Sequence, residues 1–249
     1  MKNIFSAFFI AAAFVSCAEQ YTIQGSSSLA ILDGSKLYLK AFDGRTTKVL
    51  DSCDVVHGKF RFSGILDTTL MATLSMEGRD VLPIVVERGD IKVRIEDTQQ
   101  TVSGSPLNDA LYTFIDKHNQ LGSEMEDLEH RYGQMVLDGI DEDDINRQLM
   151  SEASVIAQRE DSLVTEFVTS NFDNVLGPFI FIQMSSSVPQ VEHIWSKAPE
   201  TFKQMSVVYD FYSRVTSTPS AAAPDNRAPS TPPPHDIDDA TIQNILNGK

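Results

Sequence analysis

The feature of this sequence that most constrains its fold is a change in the period of its hydrophobic pattern near residue 104. Before that point, apolar residues alternate with polar ones in short runs, as in Lys59–Ser63, where Phe60 and Phe62 flank the charged Arg61. A period of two places such side chains on one face of a β-strand. Beyond residue 106 the apolar residues recur every seven positions, which is typical of long packed helices. The sequence therefore predicts an α+β chain.

The first part of the chain consists of short β-type runs that are separated by turn sequences. Pairs such as Asp33-Gly34 and Glu77-Gly78 supply the positive φ angle that tight hairpins need. Strands this short, at about ten-residue spacing, predict an antiparallel sandwich or barrel over residues 17–104. The predicted strands are Tyr21–Gly25, Leu37–Phe42, Thr46–Leu50, Lys59–Ser63, Met71–Met76, Leu82–Glu87, Ile91–Ile95 and Gln100–Val102.

The second part, residues 105–216, is predicted to be helical and to begin with a long hairpin. Ser105 is suited to cap the first helix, and Pro106 fits its first turn because it has no N–H to leave unpaired. A turn at Leu137–Ile140 and a second helix from Asp141 predict two antiparallel helices, which are followed by shorter ones. The apolar rows of the first helix are Leu107, Phe114, Leu121, Leu128 and Met135, and Leu111, His118, Met125 and Tyr132.

The N-terminus has the pattern of an export signal. Lys2 precedes the apolar run Ile4–Val15, which is too short to span a bilayer and has the length of a signal-peptide core. Val15–Ala18 resembles a bacterial lipobox, in which Cys17 is acylated and residues 1–16 are removed. The alternative is an ordinary secretory signal that is cut near Ala18. The lipobox predicts a lipoprotein of the cell envelope, anchored in the outer membrane on its periplasmic or its surface face.

The charge of the chain excludes some partners. Its formal net charge is −15 and its isoelectric point is about 4.6. Such a chain repels phosphate backbones, so we expect no nucleic acid partner. Anionic headgroups would also repel it, so membrane contact should depend on the lipid at Cys17.

Few residues suggest chemistry, and we predict no catalytic residue, metal site or cofactor. After processing, Cys53 would be the one remaining cysteine, and it is either a small buried hydrophobe on a strand or a redox thiol. The histidines lack the spacing of zinc ligands. The acidic run Asp141–Asp144 lacks the alternating ligands of a calcium loop and suits the first turn of a helix.

The last residues differ in composition from the rest of the chain. Prolines among serine, threonine and alanine predict a disordered tail over residues 217–249. Asp236–Leu246 is either a short helix that docks on a partner or a frayed end.

Four sequence pieces occur in an order that resembles a known family: the lipobox, Gly34–Phe62, Pro83–Ile91 and Gly104–Asp109. Together they resemble the uncharacterised N-terminal domain of envelope thiol–disulfide oxidoreductases of the Bacteroides group, over about residues 21–215. In that family a thioredoxin-like domain with Cys-x-x-Cys follows. Here the proline-rich stretch follows, and this sequence contains no Cys-x-x-Cys. The resemblance therefore implies the fold and the envelope location, without the redox activity.

These observations lead to three functional hypotheses. The first is a lipid-anchored, non-enzymatic module that binds a protein partner or a second copy through its helical hairpin. The heptad rows are the best candidate contact surface, although packing within the molecule explains them equally well. The second is an accessory of thiol–disulfide exchange, with the thioredoxin domain on a separate chain. The third is a hydrolase or carbohydrate-binding lipoprotein, with its site between the β part and the helices.

Overall fold

The computed structural model describes residues 19–42 and 47–217, and its element order confirms the predicted α+β chain. The predicted signal peptide lies outside these residues, and so does the predicted tail apart from Ser217. The strands are β1 (Glu19–Ser27), β2 (Lys36–Phe42), β3 (Thr47–Asp54), β4 (Lys59–Leu66), β5 (Leu70–Met76), β6 (Arg79–Val86), β7 (Gly89–Ile95) and β8 (Gln100–Ser103), and the helices are α1 (Pro106–Leu137), α2 (Glu142–Ser170), α3 (Leu176–Met184), α4 (Val188–Lys197), α5 (Glu200–Lys203) and α6 (Ser206–Ser217).

The strands form two four-stranded sheets, with the orders β4-β1-β7-β8 and β3-β2-β5-β6. Of the two predicted alternatives the sandwich is therefore correct, and the described strands close no barrel. One pairing departs from the antiparallel prediction, because β1 and β7 run parallel, with Ile23 opposite Ile91. Parallel neighbours need a long connection. Here the chain forms the whole second sheet, and β4 of the first, before it returns to pair β7 with β1.

The two sheets share one hydrophobic core. Ile23 and Phe62 of the first sheet are almost completely buried, and so are Leu39 and Ile84 of the second, and all four belong to one cluster. On β4 the buried and exposed residues alternate as predicted, with Phe60 and Phe62 directed inward. The alternating pattern of the sequence thus identifies the inner faces of the sandwich.

The hairpin of α1 and α2 packs in two different environments. Near its base, Leu111 and Phe114 of α1 and Val164 and Val168 of α2 belong to the same cluster as the sheets and the shorter helices. Farther out, a second cluster contains residues of α1 and α2 alone: Leu121, Leu128, Ile145, Leu149 and Ile156, with partly buried neighbours from the same two helices. We call residues 106–116 and 163–170 the proximal half of the hairpin, and residues 117–162 the distal half.

Two hydrogen bonds give the direction of α1. Asn108 bonds Val85 and Tyr112 bonds Pro83, so α1 runs antiparallel along β6. The start of α1 lies at the C-terminal end of β6, where the chain turns into β7. The first residue of β7, Gly89, is opposite Tyr21 near the start of the parallel strand β1. The start of β1 and the start of α1 therefore lie at the same end of the sandwich.

The lengths of the elements place the turn of the hairpin at the opposite end. At about 1.5 Å per residue, α1 is roughly 48 Å long. At about 3.3 Å per residue, β6 is roughly 26 Å long. From the level of Pro83 and Tyr112, about 13 Å of strand remains on β6, whereas about 37 Å of helix remains to Leu137. Along the direction of β6, α1 therefore passes the start of that strand by about 24 Å.

Candidate functional site

The junction between the sheets and α1 is a polar network that the sequence analysis did not predict. The Glu87 carboxylate accepts hydrogen bonds from the backbone N–H of Leu107 (2.9 Å) and of Asn108 (3.2 Å). Ser105 occupies the N-cap position as predicted, but its hydroxyl instead accepts a bond from the Asn108 side chain (2.9 Å). The capping group of α1 is therefore Glu87, whose negative charge suits the N-terminus of a helix.

Asn108 also pairs with β6 in the way that a neighbouring strand would. Val85 N–H donates to Asn108 Oδ1 (2.9 Å), and Asn108 Nδ2 donates to the Val85 carbonyl (2.7 Å). Two residues away along the strand, the Tyr112 hydroxyl donates to the carbonyl of Pro83 (2.9 Å), a residue that has no N–H of its own. The edge of the second sheet is thus covered by α1, which protects it from pairing with another strand. Burial raises the pKa of Tyr112, so its hydroxyl stays protonated and donates.

Two of the sequence pieces that carry the family resemblance meet at this junction. Glu87 belongs to the piece Pro83–Ile91, and Asn108 belongs to the piece Gly104–Asp109. Gly104 has a φ angle of +93°, and a Cβ there would lie 2.7 Å from the carbonyl oxygen of Asp90. These residues satisfy one another's hydrogen bonds and hold the helix on the sheet, which is a structural role. The signal in the sequence was an asparagine at a position of α1 that faces the core.

Of the two candidate cysteines, only Cys53 lies within the described residues. Cys17 lies outside the described residues, so its acylation stays a prediction. Cys53 lies on β3 opposite Leu37 and is half-buried against the core. Burial raises the pKa of the Cys53 thiol, and the nearby carboxylates of Asp51 and Asp54 raise it further, whereas a hydrogen bond from the Arg61 backbone lowers it. A raised pKa leaves less thiolate at neutral pH, which favours the small buried hydrophobe over the redox thiol.

The heptad rows of α1 are mostly used for packing within the molecule. The ring of Phe114 lies on Phe167 of α2, with 4.4 Å between the ring centroids. His118 Nε2 is 3.0 Å from the Glu160 carboxylate of α2, which is a structural contact rather than a ligand position. Leu121 and the other buried members of the rows lie in the two hydrophobic clusters. The buried members of these rows are therefore explained by packing within the molecule, in the main core near the base of the hairpin and between α1 and α2 farther out.

An exposed apolar surface remains at the turn of the hairpin. The side chains of Tyr132, Val136, Leu137 and Ile140 are all exposed, and that of Leu137 is 84% exposed. We call these four residues the tip surface. Residues 106–170 contain 15 acidic and four basic residues, a formal charge of −11. The tip surface is thus an apolar patch on a strongly acidic hairpin, and contiguous exposed apolar residues of this kind mark interaction sites.

The described residues contain little that resembles a catalytic or metal site. Within residues 19–42 and 47–217, no group of three His, Cys, Asp or Glu side chains is placed to hold a metal ion. Open grooves run along the hairpin, where Lys117 and Glu166 line both and Arg159 lines one. The interface between the sheets and the helices, where the hydrolase hypothesis places its site, is filled by buried side chains. None of the helices in the described part of the chain is long and apolar enough to cross a membrane.

Comparison with known proteins adds one result for the β part of the chain. Residues 21–111 match a family model described as a domain of unknown function, DUF4369. The match covers the described strands and ends inside α1, so it includes the junction residues Glu87, Ser105 and Asn108. It confirms the predicted uncharacterised domain in this region and does not bear on thiol–disulfide oxidoreductases. A comparison with curated proteins gives no match.

Proposed function

We propose that this chain is a lipid-anchored, non-enzymatic binding module of the cell envelope, and that the tip surface of its hairpin contacts a protein partner. One observation carries this proposal: exposed apolar side chains stand at the end of the molecule that lies opposite the start of β1. The sequence predicts a lipid on Cys17, two residues before Glu19, the first residue of β1.

The geometry suits a tethered module. A lipid on Cys17 would hold the end of the sandwich at which β1 starts close to the membrane surface. Several acyl chains would make the attachment stable, since each buried CH₂ contributes about 0.8 kcal/mol. The hairpin extends past the far end of the sandwich, so its tip surface is presented away from the anchor. The apolar core of the distal half consists of α1 and α2 residues alone, which leaves most of its outer surface open to a partner.

The charge and the exposed apolar residues of the hairpin indicate which class of molecule it could bind. Its charge of −11 disfavours anionic lipid headgroups and nucleic acids. The apolar residues Val136 and Leu137 require a partner surface that shields them from water. A protein with an apolar pocket and a basic rim fits both properties, because charge complementarity speeds the encounter and burial of apolar groups supplies affinity.

The test of the tip surface is crosslinking in cells followed by mass spectrometry. The double variant Val136→Ser/Leu137→Ser should lower the yield of the crosslinked partner about tenfold, which corresponds to about 1.4 kcal/mol of binding free energy. The matched control is Met150→Ser/Val155→Ser, which changes two exposed apolar residues of α2 outside the tip surface. An unchanged yield with the tip variant, or an equal loss with the control, would contradict the proposal.

The lipid anchor has its own test. Cells that are fed an alkyne fatty acid should label the wild-type protein and the Cys53→Ser variant. The Cys17→Ser variant should carry no label and should move from the membrane fraction to the soluble fraction. If Cys17→Ser stays in the membrane fraction, the anchor is not a lipid on this residue.

A second candidate function is an accessory role in thiol–disulfide exchange, with the thioredoxin domain on a separate chain. The sequence resemblance to the N-terminal domain of envelope thiol–disulfide oxidoreductases supports it, whereas the raised pKa of the Cys53 thiol disfavours chemistry at that residue. A mixed disulfide that is trapped in the wild type and lost in Cys53→Ser would favour this role. Identical partners in both proteins would exclude exchange through Cys53.

A further inference from the structure

A partly exposed aromatic cluster lies on the C-terminal helices, away from the hairpin tip. Trp195 of α4 stacks on Tyr212 of α6, with 3.9 Å between the ring centroids and 11° between the ring planes. The ring of Tyr209 lies 6.4 Å from that of Trp195 and is 57% exposed, and Lys203 Nζ lies 5.9 Å from the Trp195 centroid. We call Trp195, Tyr209 and Tyr212 the aromatic patch.

The aromatic patch is not explained by the hydrophobic core. Trp195 and Tyr212 pack against the first cluster but are only partly buried, whereas Phe181 and Phe202 of the C-terminal helices are completely buried. Rigid rings with a polar atom bury a large area at a small entropic cost, which is why Trp and Tyr are enriched where proteins bind other chains. The patch thus has the composition of a docking surface.

The chain that follows α6 starts next to this patch. Tyr209, Tyr212 and Thr216 are three and four residues apart, so they share one face of α6 that leads to its last residue, Ser217. Tyr209 is about 12 Å from the end of the helix. The connection from Thr218 to Thr231 has 14 residues, and a linker of that length typically spans roughly 20 Å, which is enough for the residues after Thr231 to reach Tyr209.

The sequence after Thr231 has the chemistry that such a patch binds. Pro232, Pro233 and Pro234 are consecutive and favour the polyproline II conformation, which docks on grooves lined by aromatic rings. They are followed by Asp236, Asp238 and Asp239.

The surface around the patch has no net charge, so it repels these aspartates less than the acidic hairpin would. Residues 188–217 contain three acidic and three basic residues, whereas the hairpin has a charge of −11. The C-terminal helices are therefore much less acidic than the hairpin. Lys203 lies beside Trp195 at this site, where it also pairs with Glu200 (3.4 Å).

We propose that residues 231–239 of this chain bind back on the aromatic patch. Pro232–Pro234 pack on the exposed ring of Tyr209 and on the part of the Trp195 ring that Tyr212 leaves uncovered, and the aspartates that follow face Lys203. The contact is intramolecular, because a short connection gives the segment an effective concentration on the order of millimolar, at which weak stacking contacts suffice.

The single tryptophan of the sequence makes this proposal directly measurable. In the full chain, the variant Pro232→Ala/Pro233→Ala/Pro234→Ala should raise the acrylamide quenching constant of Trp195 fluorescence about twofold, since loss of the packed prolines uncovers the indole ring. The matched control, Pro219→Ala/Pro224→Ala, changes prolines outside the docking segment and should leave the quenching unchanged. In a Tyr209→Ala background the triple variant should have a much smaller effect, because the two changes remove the same contact.

Two results would overturn the proposal. Equal quenching of the wild type and the triple variant would show that the prolines do not cover Trp195. A difference that grows with protein concentration would place the segment on a second copy of the chain rather than on its own patch. A difference that is independent of concentration and absent in the control variant supports the intramolecular contact.

Discussion

The proximal and distal halves of the hairpin share the same two helices but are held in very different ways. In the proximal half, Asn108 and Tyr112 are bonded to β6, and the rings of Phe114 and Phe167 pack within the main core. In the distal half, the buried residues contact only the partner helix. The base of the hairpin is therefore part of the globular core, whereas its outer part is a separate two-helix element.

This difference shows where the chain is free to change. A substitution in the proximal half disturbs the sheets, because Glu87 and Asn108 join strand and helix through several hydrogen bonds. The distal half is bridged on its surface by ion pairs, Arg131 with Glu152 and Arg159 with Glu124. Exposed pairs of this kind contribute little to stability. Surface residues of the distal half can thus be substituted without loss of the fold. Such substitutions could change which protein the hairpin binds.

Among the polar residues of the junction, a large effect is expected at Asn108, which is completely buried. Asn108→Ala should lower the free energy of unfolding by about 2–4 kcal/mol, because it leaves the Val85 N–H and carbonyl without partners. The measurement is chemical denaturation. The control is Asn119→Ala, at an exposed position of the same helix, which should change stability by less than about 0.5 kcal/mol. Equal effects of both variants would contradict the structural role of the junction.

A pair of core substitutions compares the two halves directly. Phe114→Ala should cost about 3–5 kcal/mol, because it opens the main core, and Leu128→Ala should cost about 2–4 kcal/mol. Hydrogen exchange separates them further. Phe114→Ala should lower amide protection in the sheets as well, whereas Leu128→Ala should lower it mainly in the distal half. If Leu128→Ala lowers the amide protection of the strands as much as Phe114→Ala does, the two halves of the hairpin unfold as one unit. That result would contradict the distinction between the proximal and distal halves.

The junction should also respond to alkaline pH through Tyr112. Its pKa is raised above the ordinary value of 10.0 by burial, so its contribution is complete below about pH 10 and is lost as the pH rises through the folded-state value. Tyr112→Phe should cost about 1 kcal/mol at pH 7, because it removes the bond to Pro83. The variant should also lose stability less steeply than the wild type above about pH 10. Identical pH dependence in both proteins would show that this hydroxyl is not buried.

The smallest effect is expected in the distal half, at the Arg131–Glu152 pair. The hydrogen bond from Arg131, followed by its charge, lowers the pKa of the Glu152 carboxyl below its ordinary value of 4.5. Any contribution of this exposed pair to stability is therefore complete above about pH 4.5 and is lost as the pH falls through the lowered folded-state pKa, and we expect it to be small. Arg131→Gln should return the pKa of Glu152 toward 4.5 in an NMR titration and leave the midpoint of denaturation unchanged. A clear loss of stability would show that surface pairs hold the distal half.

The sequence predicted the elements of this fold better than their connections. Alternation in runs such as Lys59–Ser63 identifies strands, and the seven-residue rows identify α1, because both patterns are local. The parallel pairing of β1 with β7 was missed, since no local pattern records which distant strands meet. The Glu87 cap was missed for the same reason: a serine next to a helix start is the usual cap, and the residue that replaces it lies 18 positions earlier in the chain.

The candidate surfaces, like the strand connections, depend on contacts between distant parts of the chain. The heptad rows alone indicate that α1 packs on another element but do not identify that element as α2. Exposure of Leu137 depends on the distance by which the hairpin passes the sandwich, which no residue pattern gives. The stacking of Trp195 on Tyr212 joins two helices whose relative position is set by the core.

The position of β1 has a mechanical consequence. It is an inner strand, hydrogen-bonded to β4 on one side and to β7 on the other. A pull on the residues before Glu19 acts along the strand, and the hydrogen bonds that hold β1 run across it. The force would therefore shear two ladders at once, instead of opening one bond after another from an edge. A domain built in this way resists unfolding when it is dragged by its first residues.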